Sequence, residues 1–411
     1  MIPGPPPRFT LDGSDALESH LADVCDQIHL GLSTVIPPSR LHAILVGGGY
    51  GRGEGAVLRG PDLSDDAPHG EFEVWVFIHG GGPGAGHRFR RALEALARKL
   101  APKTGLDVVF QVLQLPRLRR SPITIDYHDL VDGHRWIVGD DDLFQGCDHH
   151  RDPSRIPIHE ATRRLMKGCT GLLFAAERLA RAQFAQADAE FVARHIARAR
   201  MTFGQAYLAA HGQYHGSCVE RQRRLESLVG PLSAPDSDTP TPDPTPASAS
   251  ASDSTELVPA ELARLHAIGV ASQLHPTQVV HSRSSLVAEH AEITRIGHAL
   301  WLWLENRRLN RRFASAGEYA RSPANKCPET SGLRNRLVNF GSFGLRTPTG
   351  PQGSRHPRER LLHGLPLLLW EFPKSPTPPD LRRRLQAELM ARASNYPGWI
   401  AAYRRLWNRF G

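Results

Sequence analysis

The chain has 411 residues, 40% of them hydrophobic and 22% charged, with a formal net charge of +8. Its length exceeds one average domain, so two folding units are expected. No window approaches the ~18 to 20 uncharged apolar residues of a membrane span, and the five scattered cysteines, with no Cys-x-x-Cys pair, speak against a zinc ribbon or a disulfide framework. The first residues lack the apolar core of a signal peptide, so a cytoplasmic location with free thiols is expected. Nearly all the positive charge is arginine. It would attract phosphate-bearing partners, but Arg, Ala, Gly and Pro are enriched throughout, so nucleic acid is possible and not favoured.

In chain order, residues 1–40 read as a leader and one amphipathic helix, with Leu17, Leu21, Cys25, Ile28 and Leu32 at helical spacing. A strand over Leu41–Val46 runs into a glycine-rich loop. Residues 59–70 are a polar insertion carrying Asp62, Asp65 and Asp66, and Glu71–Ile78 is a strongly β-prone run. After a glycine turn, Phe89, Leu93, Leu96 and Leu100 mark a helix. Residues 106–113 are a third strand, 121–125 a short fourth, and 136–138 a last apolar piece ending in acidic residues 140–142. The first unit, residues 1–155, is therefore an α+β body with a small mixed sheet and flanking helices.

Beyond it the periodicity is helical. Ala161, Leu165, Cys169, Leu172, Ala176 and Leu179 make one stripe; Phe191, His195, Ala199, Thr202 and Ala206 make another. Residues 231–254, rich in Pro, Ser, Thr, Asp and Ala, hold almost no large apolar residue and are expected to be a disordered linker. Helical spacing resumes over 256–274 and from Leu286 to Leu304, residues 315–358 read as loop, and 379–410 as one or two helices. Residues 156–230 and 255–411 thus form an all-α accessory domain.

The chemistry-bearing residues cluster early. In the loop, Gly48, Gly49, Gly51 and Gly53 leave backbone N–H groups open to an anion, because glycine has no Cβ to stand in the way. Glu71 and Glu73 alternate onto one face of their strand, and Asp107 opens the next. An antiparallel neighbour would bring it beside them. Carboxylates beside a phosphate-cradling loop suit Mg²⁺ or Mn²⁺, which want oxygen ligands and can stabilise attacking and leaving oxygens together.

This arrangement resembles the polymerase-beta-like nucleotidyltransferase superfamily. The resemblance covers residues 41–145 and implies a nucleotidyltransferase fold followed by helices. It aligns Gly48 and Gly49 with the family's phosphate-contacting glycine pair, Glu71 and Glu73 with its Asp-x-Asp pair, and Asp107 with its third acid. Arg52 falls where small members carry a basic residue. The implied reaction moves a nucleoside monophosphate from an NTP to an acceptor that the sequence leaves open, with Glu71, Glu73 and Asp107 as catalytic metal ligands and Gly48, Gly49, Gly51, Arg52 and Gly53 holding the nucleotide. Two departures stand out. Glutamate replaces aspartate at both paired positions, which lengthens each arm by one C–C bond, about 1.5 Å. The insertion at 59–70 also lengthens the gap from the glycines, and Asp62, Asp65 or Asp66 could supply a ligand from it. The alternative is a module that keeps the fold, binds nucleotide or a protein partner, and has lost metal chemistry.

Other groups carry less. The Asp148-His-His-Arg-Asp152 run reads as a solvated turn, and His195, His211 and His215 as packing or surface histidines. The arginine runs at 221–224, 307–312 and 382–384 read as exposed helix faces, or as a basic wall for an anionic acceptor.

Overall fold

Ser14 starts the first helix: its side chain accepts from the Leu17 amide, an N-cap for α1 (Asp15–Val35). Residues 8–60, 66–80, 85–140, 142–229, 257–277, 281–344, 353–372 and 379–411 are described in the computed structural model of the chain. The linker at 231–254, Asp62 and Asp65 lie outside them. Among the described residues no helix is long and apolar enough to cross a membrane. The chain divides into two compact units. One comprises Met1–Glu160, Leu208–Leu228 and His266–Val279; the other comprises Ala161–Tyr207, Val229–Leu265 and Val280–Gly411.

The first unit is α+β. From β1 (Leu41–Val46) the chain passes through the single turn α2 (Gly48–Gly51) into a ribbon of β2 (Ala56–Leu58) and β3 (Ala67–His69). β4 (Glu71–Ile78), α3 (Ala85–Thr104) and β5 (Asp107–Leu113) follow, then α4 (Leu115–Arg119), α5 (Ile125–Asp132) and β6 (Arg135–Val138). The main sheet has the order β5-β4-β1-β6. β1 is antiparallel to β4 and β6, whereas β4 and β5 run parallel, because the connection through α3 carries the chain back to the same end. The antiparallel neighbour expected for Asp107 is therefore a parallel one.

Alternation along the strands divides the core. Ile44, Val46, Phe72, Val74, Val76, Ile78 and Val108 face Leu21, Val24, Ile28 and Leu32 of α1 and Leu93, Leu96 and Leu100 of α3. Ala43, Leu45, Trp75, Phe77 and Leu113 face the other way, onto Leu115 and Leu118 of α4, Leu130 and Val131 of α5, and Leu143 and Phe144. The short strand expected over 121–125 does not form. Thr124 accepts from the Tyr127 amide and caps α5 instead. Of the Asp148–Asp152 run, His150 is fully buried, its Nε2 within 3.1 Å of the Leu118 carbonyl, so this segment is only in part a solvated turn.

The helical elements that follow are α6 (Ile158–Leu179), α7 (Gln186–Ala210), α8 (Cys218–Val229), α9 (Pro259–Leu274), α10 (Arg283–Leu309), α11 (Ala316–Arg321), α12 (Gly332–Phe343), α13 (Pro357–Pro366), α14 (Pro379–Leu389) and α15 (Tyr396–Phe410). Within the loop expected over 315–358, the described residues include two helices, α11 and α12, because Ser315 and Ser331 cap them in a stretch whose Gly and Pro content suggested otherwise. In the second unit Glu305 is fully buried and accepts from Thr162, Tyr319 and, in a fork, Arg308. Arg308 is thus an interior residue, contrary to the exposed face expected of its run.

Candidate functional site

The site forms where β1 ends. The Gly47 amide donates to the Glu73 carbonyl at 2.9 Å, extending the β1–β4 ladder by one bond before the chain turns into α2. Gly48 then adopts φ +61°, a conformation that disfavours any residue with a Cβ. The space is close as well: a Cβ at Gly48 would stand 3.1 Å from Glu73 Oε2. The glycine makes room for that carboxylate. Gly51 serves packing, since a Cβ there would collide with the Val46 carbonyl oxygen.

Register fixes the acids. In the parallel β4–β5 pair Glu71 lies opposite Asp107 and Glu73 opposite Val109. Glu71, Glu73 and Asp107 therefore share one sheet face, the face that α5 covers. They differ in environment. Glu71 and Asp107 are exposed at the strand starts, whereas Glu73 is half-buried. Burial raises the pKa of Glu73, and the negative charge of Asp126 on α5 adds to the effect; a hydrogen bond from Trp75 and the charge of Arg52 oppose it. Asp129, one turn along α5, also pushes it up. Among the described residues no three His, Cys, Asp or Glu side chains are grouped so as to hold a metal ion. Asp66 instead pairs with Arg59 at 2.8 Å and accepts from the Ser14 amide.

Arg52 turns inward. Its side chain threads past Gly133 and Gly216, where added Cβ atoms would come within 2.5 Å and 3.3 Å of it. Burial weakens its charged form, but Asp129, Tyr214 and Glu54 outweigh that and leave its pKa raised. Its Nε lies 4.0 Å from Glu54 Oε2. Glu54, only 4% exposed, accepts from the Ser217 hydroxyl, the Cys218 amide at 2.8 Å and the Val219 amide at 3.4 Å. The carboxylate thus caps the N-terminus of α8, where unpaired amides and the helix dipole favour negative charge. Burial resists its ionisation, yet these bonds and Arg52 hold its pKa below the usual carboxylate value.

The chain of contacts continues. The Tyr214 hydroxyl lies 3.0 Å from both Asp129 oxygens, and Arg221 reaches the Tyr214 hydroxyl at 3.4 Å and the His215 and Gly216 carbonyls at 2.7 and 2.6 Å. Arg221 is 2% exposed, so the run at 221–224 is not wholly an exposed helix face. Asp126, Asp129, Tyr214, Ser217 and Arg221 all escaped the sequence reading. For the two aspartates a signal existed: spaced i, i+3, they fall on one side of a capped helix. The others join the loop from 85 residues beyond Asp129 and 163 residues beyond Glu54, with no motif to announce it.

Tyr50 ties the loop down on its other side. Its hydroxyl, 2% of the residue being exposed, bonds the Ala56 carbonyl at 2.9 Å and both backbone groups of His69. The result is a rigid glycine turn with one half-buried acid against it and two exposed acids in register beside it. No protein-family model, curated protein or solved structure matches the chain.

Proposed function

We propose that the first unit is a nucleotidyltransferase of the polymerase-beta-like kind, moving a nucleoside monophosphate from an NTP to an acceptor. The observation that carries this reading is the close approach of Gly48, held at φ +61°, to the Glu73 carboxylate, whose Oε2 would stand 3.1 Å from a Cβ placed on that glycine. Tight turns need glycine for many reasons; a turn that yields to a half-buried acid with further acids on the same sheet face is a narrower arrangement. In this reading the start of the turn at Gly48 and Gly49 would face the triphosphate, since the Gly51, Arg52 and Gly53 amides are bonded within the turn, and Glu71, Glu73 and Asp107 would hold Mg²⁺ or Mn²⁺. The raised pKa of Glu73 fits that role, since a carboxylate crowded by Asp126 and Asp129 is a group that a cation would relieve. The ion would supply charge neutralisation at the phosphates.

The residues' own work is mostly positioning. The acceptor oxygen attacks the α-phosphorus, its proton passes to a carboxylate of this set, and pyrophosphate departs with the bonding pair. Arg52 acts through the loop: tied to Glu54 and Asp129, it fixes where the glycine backbone lies.

A second reading, a nucleotide-binding or interaction module without metal chemistry, is favoured by the lack of a three-group metal cluster among the described residues and by the exposure of Glu71 and Asp107. Electron paramagnetic resonance of Mn²⁺ with a non-hydrolysable ATP analogue separates the two. The transferase reading expects the analogue to deplete the free Mn²⁺ signal with the wild-type chain beyond its effect in buffer, and Glu73→Gln to abolish that excess. An equal signal with and without protein supports the module.

A further inference from the structure

The second unit carries a concave surface that the transferase reading does not use. At the end of α10 the chain leaves the helix through Asn310, in left-handed backbone, and the next residues, Arg311 and Arg312, turn into an open cleft of about 470 Å³. Phe313, Glu318, Arg321, Ser322 and Pro323 complete its lining. Three arginines from two elements thus meet around one hollow. Arg311 and Arg312 are exposed, and neither has an ion-pair or side-chain hydrogen-bond partner among the described residues. The one acid in the lining, Glu318, has an oxygen occupied by the Ala314 amide at 2.7 Å. A fourth arginine stands behind: Arg384 of α14 donates to the Arg321 carbonyl at 2.9 Å. Arg384, far away in sequence, therefore meets α11 at the residue that also lines the cleft with Arg311 and Arg312.

Arg321 has an acid close by, since a Cβ on Gly317 would stand 2.9 Å from Arg321 Nη2 and 3.0 Å from Glu371 Oε2, so among the described residues the cations of the cleft that lack a counter-charge are Arg311 and Arg312. Burial lowers the pKa of Arg384, and although Glu388 opposes this, the charges of Arg321 and Arg355 lower it further. The floor of the cleft is firm: Phe313 is buried, its amide donates to Asn306 Oδ1 at 2.8 Å, and its ring meets Tyr319 edge-on at 5.3 Å. The guanidinium fork suits the oxygens of phosphate, which it can grip through paired N–H donors.

We infer that Arg311, Arg312 and Arg321 form an anion-binding site for the phosphate group of a small phosphorylated ligand. A small ligand is favoured over a nucleic-acid backbone because the cations line one hollow with an acid, Glu318, on its wall, rather than forming an extended basic track. The inference is independent of the transferase reading, since its residues belong to the other unit.

The test is calorimetric titration of the full chain with inorganic pyrophosphate, without divalent cation, at low ionic strength. Wild type is expected to bind, and Arg311→Ala with Arg312→Ala to weaken binding at least about tenfold, as loss of charge-assisted bonds implies. Both side chains are exposed, and an unchanged melting temperature verifies that the double variant is folded. Arg311→Lys with Arg312→Lys keeps the charge but loses the fork and is expected to fall between. No binding by wild type, or equal binding by the alanine variant, overturns the site. Affinity for single-stranded oligonucleotides that rises with length and is lost in the alanine variant overturns the choice of a small ligand and assigns the cleft to nucleic acid.

Discussion

At Glu73 a function-shaped residue and a stability-shaped residue would differ in opposite directions. Its pKa is raised, so the folded chain holds the proton more tightly than the unfolded chain does. The associated stabilisation is present below the unfolded carboxyl value and is lost as pH rises through the raised value. Glu73→Gln is therefore expected to hold or raise the melting temperature at pH 7, while the same change removes any metal-linked nucleotide binding. A clear fall in melting temperature at that pH would contradict the electrostatic account. Glu54 behaves in the opposite sense. It is buried, paired with Arg52 and engaged with α8, so Glu54→Ala leaves the buried guanidinium with Asp129 as its remaining carboxylate and uncaps a helix. Breaking such a pair costs about 3–5 kcal/mol, and denaturant unfolding should read a loss of that order. Gly48→Ala tests the backbone: forcing a Cβ into left-handed geometry costs about 1–2 kcal/mol, and the new methyl would press on the Glu73 carboxylate.

Elements read well where one periodicity dominated. α1 and α3 carry helical stripes, β1 and β4 carry apolar runs, and burial follows each of them, on both faces of the two strands. Residues 121–125 were not legible, since a short apolar run reads equally as strand or as the start of a helix until the Thr124 cap is seen. α12 escaped for a different reason. Its buried residues are Asn335 and Asn339, whose amides donate to the Thr330 hydroxyl and to the carbonyls of Ser354, Gly353 and Arg355, while Leu333 is 75% exposed. A helix held by amide side chains with its leucines outward defeats any search for an apolar inner face. Asn339→Ala is expected to cost about 1–3 kcal/mol through two lost bonds, seen as faster amide exchange over α12. Unchanged exchange would mean that α12 is held by something other than these amides.

Across the whole molecule, the shared face of Glu71 and Glu73 was legible because alternation along one strand needs no long-range knowledge, whereas Asp107 reaches that face through a parallel pairing that the sequence did not give. What escaped was the brace from Glu54 and Arg52 to Asp129, Tyr214 and α8, which joins segments with no shared pattern. The second unit holds its own titratable centre. Lys326 is fully buried, its Nζ bonded to the Ser322 carbonyl at 2.9 Å and facing the Tyr319 ring and His363. Burial lowers its pKa to about 8, against the pull of Glu359, Glu305 and Glu388 and with the push of Arg355. The unfolded chain therefore binds the proton first, and stability should climb as pH rises from about 8 towards the ordinary lysine value of about 10.4. Lys326→Met is expected to flatten that slope in melting curves, and an unaltered slope would assign it elsewhere. The central claim concerns the other unit, and calorimetry of ATP binding tests it most directly. Wild type should bind ATP more tightly with Mg²⁺ than without it, and Glu71→Gln with Glu73→Gln should erase the difference. Binding that ignores both the metal and those two substitutions would contradict the account.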